Sequence, residues 1–227
     1  MQNNIQIKQL ETADLIAQEV CERILELASN AIEKRGQFKF VLAGGTTPEK
    51  VYRLLAKSEV NWSKWFIYHG DERCLPIDHA DRNSMMVANA FLNTVAIPKN
   101  QIFDMPTELG TEQSAAAYRP IIESAMPFDL VLLGMGEDGH TASLFPGHIH
   151  DENDVVHAIY NSPKPPAERI TMSAKALSNT ENLYFLITGA NKCEAMKQWR
   201  DGGDLPVASV SALQNLVIFL DKAADAD

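Results

Sequence analysis

The sequence has no excess of positive charge, no cysteine pattern and no long apolar run, and each absence removes a class of function. With 20 Lys and Arg against 30 Asp and Glu, the formal net charge is −10. Nucleic acids and anionic membranes are bound by basic surfaces, so neither is an expected partner. A small anion held by a few placed cations is still compatible. Cys21, Cys74 and Cys193 are odd in number and widely separated. They offer neither a zinc spacing nor a disulfide framework, which points to a reducing, cytoplasmic setting. The polar start MQNNIQIKQLETAD does not read as a signal peptide, and no apolar stretch approaches the ~20 residues that span a bilayer. Repeats, low-complexity segments and linkers are also missing. The 227 residues therefore read as one domain, 1–227, long enough to bury a core without disulfides or metal.

What is present is an alternation of strand and helix patterns. Thr12 is placed to cap a long helix in which Leu15, Ile16, Val20, Ile24, Leu27, Ala28, Ala31 and Ile32 recur at helical spacing, with Gly36 to end it. FKFVLA (38–43), WFIYH (65–69), FDLVLLG (128–134) and LYFLITG (183–189) read as buried strands; VVHAIY and RITMS are weaker, and PVASV and LVIFLD read as closing strands. Helices are expected after GGTT with Val51, Leu54 and Leu55 inward, over 85–92, over 111–125, and in ANKCEAMKQW. SPKPPAER is a loop because of its prolines. The alternation predicts an α/β fold: a doubly wound, mostly parallel, Rossmann-like sheet with helices on both faces. In such sheets ligands gather at the carboxyl ends of the strands. Those ends here read GGTT, GDER, GMGEDGH and TGANK.

Gly134, Gly136 and Gly139 satisfy G-x-G-x-x-G. A dinucleotide fingerprint, however, opens the first βαβ unit and is followed by an acid about 20 residues on. Here two strands precede the motif, and the next candidate strand ends at Tyr160 and Asn161 without one. GGTTP (44–48) fits a phosphate cradle built on a helix N-terminus, with Thr47 as N-cap and Pro48 at the first helical position; it fits a plain capped turn equally. No GKS or GKT follows, which argues against a nucleotide P-loop. Arg169 and Lys192 are either solvated charges or the cations that complete a monophosphate site. His140 at a strand tip is either structural or a general base, with Asp138 to orient it, Asp71 nearby and Arg73 to steady negative charge. Ser143 lies outside any G-x-S-x-G elbow. His148 and His150 form an H-x-H beside Asp151, which fits a mobile loop better than a metal site.

Taken in order, VLAGGTTPEKVYRLLA, GDERCLPIDHADRNS, FDLVLLGMGEDGHTASLFPGH, ERITMS and LITGANK resemble the 6-phosphogluconolactonase family over residues 38 to the C-terminus. That family is similar to the glucosamine-6-phosphate deaminases, which share its sheet, phosphate loop, DE pair and DGH triplet. The resemblance implies a deaminase/lactonase-type α/β sheet and hydrolysis of 6-phospho-D-glucono-1,5-lactone, without metal or organic cofactor, in the oxidative pentose phosphate pathway. The expected partner is a small sugar-phosphate lactone, and the expected assembly a monomer or small homo-oligomer. It further implies that Gly44, Gly45, Thr46 and Thr47 form the phosphate loop with Arg169 and Lys192, and that Gly139 lies at the substrate. His140 is the implied base, Asp138 its orienting carboxylate, and Asp71 and Arg73 the active-site acid and arginine. The deaminases carry a glutamate five residues after the motif histidine, where this chain has Phe145. A phenylalanine moves no proton, which disfavours a sugar-phosphate isomerase or deaminase. A non-catalytic sugar-phosphate-binding protein is the other alternative. DRNSMM departs from the family's DSNY stretch, leaving Asn83 as the match there and Arg82 and Met85 without one.

Overall fold

Residues 4–151 and 153–225 are described by a computed structural model; the two ends of the expected 1–227 domain lie outside the described residues. The chain runs through β1 (Asn4–Leu10), α1 (Ala13–Arg35), β2 (Phe38–Leu42), α2 (Thr46–Leu55), β3 (Trp65–His69), β4 (Asp71–Arg73), α3 (Asn83–Val87) and β5 (Ile102–Phe103). It continues through α4 (Thr111–Ala125), β6 (Phe128–Gly134), β7 (Val156–Ile159), β8 (Arg169–Met172), α5 (Ala174–Ser178), β9 (Thr180–Ile187), α6 (Cys193–Arg200) and β10 (Asn215–Asp221). The main sheet has seven strands in the order β1-β10-β9-β6-β2-β3-β5, and every pairing in it is parallel.

Side chains alternate across this sheet, so two apolar layers form. Phe38, Phe40, Leu130, Leu132, Val217 and Phe219 meet Ile16, Val20 and Ile24 of α1 on one face. Val41, Val131, Leu133, Phe185 and Ile187 meet Tyr118 and Ile122 of α4 on the other. This is why these strands read as continuous apolar runs rather than as alternating ones. Phe38, Phe40 and Trp65 are fully buried, and burial of each such ring stabilises the fold by about 1.5–3 kcal/mol. The α1 boundaries follow the expected signals. The Leu15 N–H donates to Thr12 Oγ1 at 3.3 Å, and Gly36 caps the other end at φ 77°.

The chain leaves β2 toward β3 and β5 on one side, and later places β6, β9 and β10 on the other. The winding therefore reverses between β2 and β6, which pair at Phe40↔Leu130 and Val41↔Val131. A cleft opens at the carboxyl ends of strands on either side of such a reversal. Here those ends are Gly44–Gly45 and the GMGEDGH turn.

Several elements differ from expectation. NIQIKQL, within the polar start, forms edge strand β1, paired along all seven residues with β10. Its Ile5 and Ile7 are exposed, so no buried apolar run marked it. The expected strand PVASV is a 3₁₀ turn over Pro206–Ser209. Val207 and Val210, three residues apart, are both buried, a spacing that suits a tight helical turn rather than a strand. The helix expected at 85–92 begins at Asn83 and passes into a π-helical turn over Ala88–Leu92. GDER contributes β4 to a second, antiparallel sheet ordered β4-β8-β7; three residues were too few to read as a strand.

Candidate active site

The glycine loop after β2 is fixed from beneath by a tyrosine. Tyr52 of α2 is fully buried, and its hydroxyl both accepts from the Ala43 N–H and donates to the Ala43 carbonyl, each at 2.9 Å. Gly44 is required by its neighbour. A Cβ there would sit 2.1 Å from Asn83 Oδ1. α2 starts at Thr46 with Gly45 as N-cap at φ 110° and no side-chain cap. This corrects the placement of Thr47 as N-cap and of Pro48 at the first helical position. Thr47 Oγ1 instead pairs with Thr188 Oγ1 at 2.7 Å, tying α2 to the end of β9. The first-turn N–H groups have no carbonyl within the helix to meet, which suits an anion.

The turn after β6 carries the histidine. Gly136 N donates to the His140 carbonyl at 2.8 Å, and Gly139 N to the Gly136 carbonyl at 3.1 Å. Asp138 Oδ1 accepts from the His140 N–H at 3.2 Å and lies 2.5 Å from His140 Nδ1. A carboxylate partner holds the proton on Nδ1 and leaves Nε2 as the basic nitrogen. Burial opposes ionisation of Asp138, but the His140 hydrogen bond and charge outweigh it and hold the carboxyl below its usual range. Gly136 makes room for this pair, since a Cβ there would lie 2.1 Å from both Nδ1 and Cε1 of the imidazole. Gly139, at φ 78°, packs against Leu205 and is not among the cleft-lining residues; it shapes the turn. The His140 ring also rests 4.8 Å, centroid to centroid, from buried Phe145.

The second sheet delivers the remaining charges. β4 and β8 run antiparallel with Asp71 opposite Thr171 and Arg73 opposite Arg169, so residues 96 to 100 positions apart in the chain become neighbours. Asp71 is buried and accepts from Ser143 Oγ at 2.6 Å and Asn83 Nδ2 at 3.2 Å. Burial raises its pKa, with the Ser143 hydrogen bond and the Arg169 charge opposing. The Ser143 hydroxyl is thereby committed to a carboxylate, in line with its lack of an elbow motif. Arg169 donates from Nε and Nη2 to the carbonyls of Pro166, Lys164 and Pro165 at 2.8–3.2 Å. Arg73 Nη1 donates to the Asp81 carbonyl at 2.9 Å.

Sequence reasoning did not assign a role to Glu72, which is fully buried. Its Oε1 accepts from the N–H groups of Arg73 and Asn83, and its Oε2 from that of Ser84, at 2.7–2.8 Å. It thereby caps α3 and sets Asn83 against Asp71 and Gly44. Asn83 was visible only as a family match, and Glu137 and Thr188 carried no signal of their own.

These groups line one cleft of about 270 Å³: Gly44, Gly45, Thr46, Thr47, Asp71, Arg73, Asn83, Glu137, His140, Arg169, Thr188 and Lys192 are all on its wall. Asp138 touches it through His140. The glycine loop and Lys192 share this wall; burial lowers the Lys192 pKa while the charges of Glu137 and Asp138 oppose. The same wall carries the histidine of the hydrogen-bonded Asp–His pair, a buried acid and two arginines. Such a set can seat an anionic group and activate water beside it. His148 and His150 lie outside this cleft. His150 stacks on His157 at 4.6 Å and 16°, and among the described residues no group of three or more His, Cys, Asp or Glu side chains could hold a metal ion.

The family described as glucosamine-6-phosphate isomerases/6-phosphogluconolactonase matches residues 11–219. The chain is 33% identical over 220 residues to the chloroplastic 6-phosphogluconolactonase 3 of Arabidopsis thaliana, covering 88% of this chain and 68% of that protein. Its fold superposes on the crystal structure of 6-phosphogluconolactonase from Thermotoga maritima with a TM-score of 0.91, at 30% identity, over 96% of this chain and 100% of that one. The Trypanosoma brucei 6-phosphogluconolactonase structure gives 0.87 at 28% identity, with 98% of each chain covered. The chain belongs to the glucosamine-6-phosphate isomerase/6-phosphogluconolactonase family.

Proposed function

We propose that this chain hydrolyses 6-phospho-D-glucono-1,5-lactone to 6-phospho-D-gluconate, with His140 as the base that activates water. The observation that carries the reading is the Asp138–His140 pair, set in one cleft with the glycine loop and Lys192. The relatives named as 6-phosphogluconolactonases support the substrate.

The 6-phosphate docks on the N–H groups of Gly45, Thr46 and Thr47 and on Lys192, where the helix terminus and the ammonium both favour an anion. Arg169, largely committed to loop carbonyls, contributes its charge and one remaining Nη1 donor direction. Docking fixes C1 near His140, and positioning of this kind removes much of the barrier. Nε2 takes a proton from water as its oxygen attacks C1. Asp138 stabilises the imidazolium that forms. Arg73 faces the negative charge that develops on the carbonyl oxygen. The imidazolium then protonates the departing ring oxygen, and the ester C–O bond breaks to give the open carboxylic acid, which releases its proton to solvent as the carboxylate. Asp71, held by Ser143 and Asn83, orients substrate hydroxyls. The reaction occurs in a reducing compartment, on a single folded unit.

A sugar-phosphate isomerase of the deaminase type would need a further acid, five residues after the histidine. Phe145 fills that place, 2% exposed and packed on the imidazole. The test follows lactone hydrolysis after generating the lactone in situ with glucose-6-phosphate dehydrogenase, against an enzyme-free blank. His140→Ala is expected to lose about 10²–10⁴-fold in kcat/KM while remaining folded. Wild type that only matches the blank would sink the lactonase reading, and a fully active His140→Ala would sink the role of His140.

A further inference from the structure

The cleft wall contains an acid for which the proposed reaction has no use. Glu137 lies on the cleft wall. Its Oε1 accepts a hydrogen bond from Lys164 Nζ, and its Oε2 lies 3.8 Å from Lys192 Nζ. The two lysines come from different parts of the fold. Lys192 ends the turn before α6, and Lys164 belongs to the proline-rich loop between β7 and β8. Lys164 is not on a loose tether. Its carbonyl accepts from Arg169 Nη2 at 3.2 Å and from Ser162 Oγ at 2.8 Å, and the next carbonyl, of Pro165, accepts from Arg169 Nη2 at 2.8 Å. Arg169 therefore holds the loop from which Lys164, itself not on the cleft wall, reaches Glu137.

One carboxylate shared between two ammonium groups occupies the electrostatic place of a phosphate oxygen pair. Its side chain is 48% exposed, so these pairs are weak, screened and readily exchanged. A phosphate monoester carries a charge of about −1.5 to −2 at neutral pH, which outcompetes a single carboxylate for the same cations.

We infer that Glu137 is a built-in competitor for the substrate's phosphate: it bridges Lys164 and Lys192 until the phosphate takes both, so Lys164 is a further phosphate ligand and Glu137 sets how tightly phosphorylated substrate and product are held. This rests on the reading above in placing the phosphate at Lys192. Its consequence is specific in sign. Glu137 weakens binding, which favours release of the product, whose phosphate is the same as the substrate's.

Glu137→Gln and Lys164→Met separate this role from a merely supporting one. Binding of inorganic phosphate and of 6-phosphogluconate is measured by calorimetry, and KM for the lactone by the coupled assay. Glu137→Gln is expected to bind both anions about three- to tenfold more tightly than wild type, with KM falling in parallel. The gain should shrink as salt rises from about 50 to 500 mM, because exposed pairs are screened. Lys164→Met is expected to move affinity the opposite way by a similar factor. Unchanged or weaker binding in Glu137→Gln overturns the competitor role, and unchanged binding in Lys164→Met overturns its role as a ligand. The calorimetry needs no turnover. Absence of lactone hydrolysis in wild type would therefore overturn the proposed reaction while the titrations still decide Glu137.

Discussion

Gly136→Ala tests the position of the histidine without removing it. The added Cβ would lie 2.1 Å from Nδ1 and Cε1 of His140 and 2.6 Å from Asp138 Oδ1. Ordinary contact begins near 3.4 Å, so from 2.1 Å the ring must retreat by about 1.3 Å. It has somewhere to go, because the His140 side chain is 20% exposed. Gly136 itself is not among the positive-φ glycines, so alanine meets no backbone penalty there. Its reduced unfolded-state entropy is worth about 0.4–1 kcal/mol in favour of the fold. The two effects separate stability from catalysis. The variant should melt within a few degrees of wild type yet lose about 10²-fold in kcat, the cost of misplacing a catalytic group by about 1 Å. Phosphate affinity, set mainly by the Gly44–Gly45 loop and Lys192, should change far less than kcat. The assay is the coupled lactone measurement beside thermal unfolding and phosphate calorimetry. A folded Gly136→Ala protein with wild-type kcat would refute the argument that the orientation of His140 limits the reaction.

Other consequences concern the supports of the site. Asp138→Asn should lower kcat by about 10²–10⁴-fold, its upper end the scale of losing a carboxylate that orients a histidine base. Because the folded-state pKa of Asp138 is depressed, its support for the histidine is present above the ordinary carboxylate pKa and disappears as pH falls through the depressed value; a wild-type acid limb unaffected by Asp138→Asn would contradict this. Ser143→Ala removes a donor that favours ionised Asp71, so it should raise the Asp71 pKa further and destabilise by about 1.5–3 kcal/mol at neutral pH. That deficit should narrow in acid as Asp71 protonates in both proteins, and denaturant midpoints across pH would expose a deficit that does not. Tyr52→Phe leaves the N–H and carbonyl of Ala43 without their partner. It should cost about 1–3 kcal/mol and raise KM more than it lowers kcat; an unchanged KM would show that the glycine loop does not depend on Tyr52.

The fold was readable where burial on both sides made strands into apolar runs. β2, β3, β6 and β9 each carry that signature, and Thr12, Gly36 and the prolines mark boundaries by backbone chemistry alone. β1 was not readable, because its isoleucines face outward and its stability lies in hydrogen bonds to β10. The turn at Pro206–Ser209 misled because β-branched residues favour strands only when a neighbouring strand is there to pair with them.

The local part of the site belonged to the sequence. Asp138, Gly139 and His140 are consecutive, and a glycine-rich turn after an apolar strand has few ways to fold, so the Asp–His pair could be anticipated from its spacing. GGTT before a helical pattern likewise announced an anion-ready terminus, although not which residue would cap it. Only the tertiary structure decided what these two loops share. The reversal of winding between β2 and β6 sets them side by side, and the antiparallel pairing of β4 with β8 brings Arg169 to Asp71 and Arg73. Glu72, Ser143, Tyr52 and Glu137 acquired their roles the same way. Each acts through a partner distant in sequence or brought close by a turn, and a hydrogen bond across space leaves no periodicity in the chain. Sequence fixes which groups are available and how each segment bends; long-range packing alone determines which of them meet.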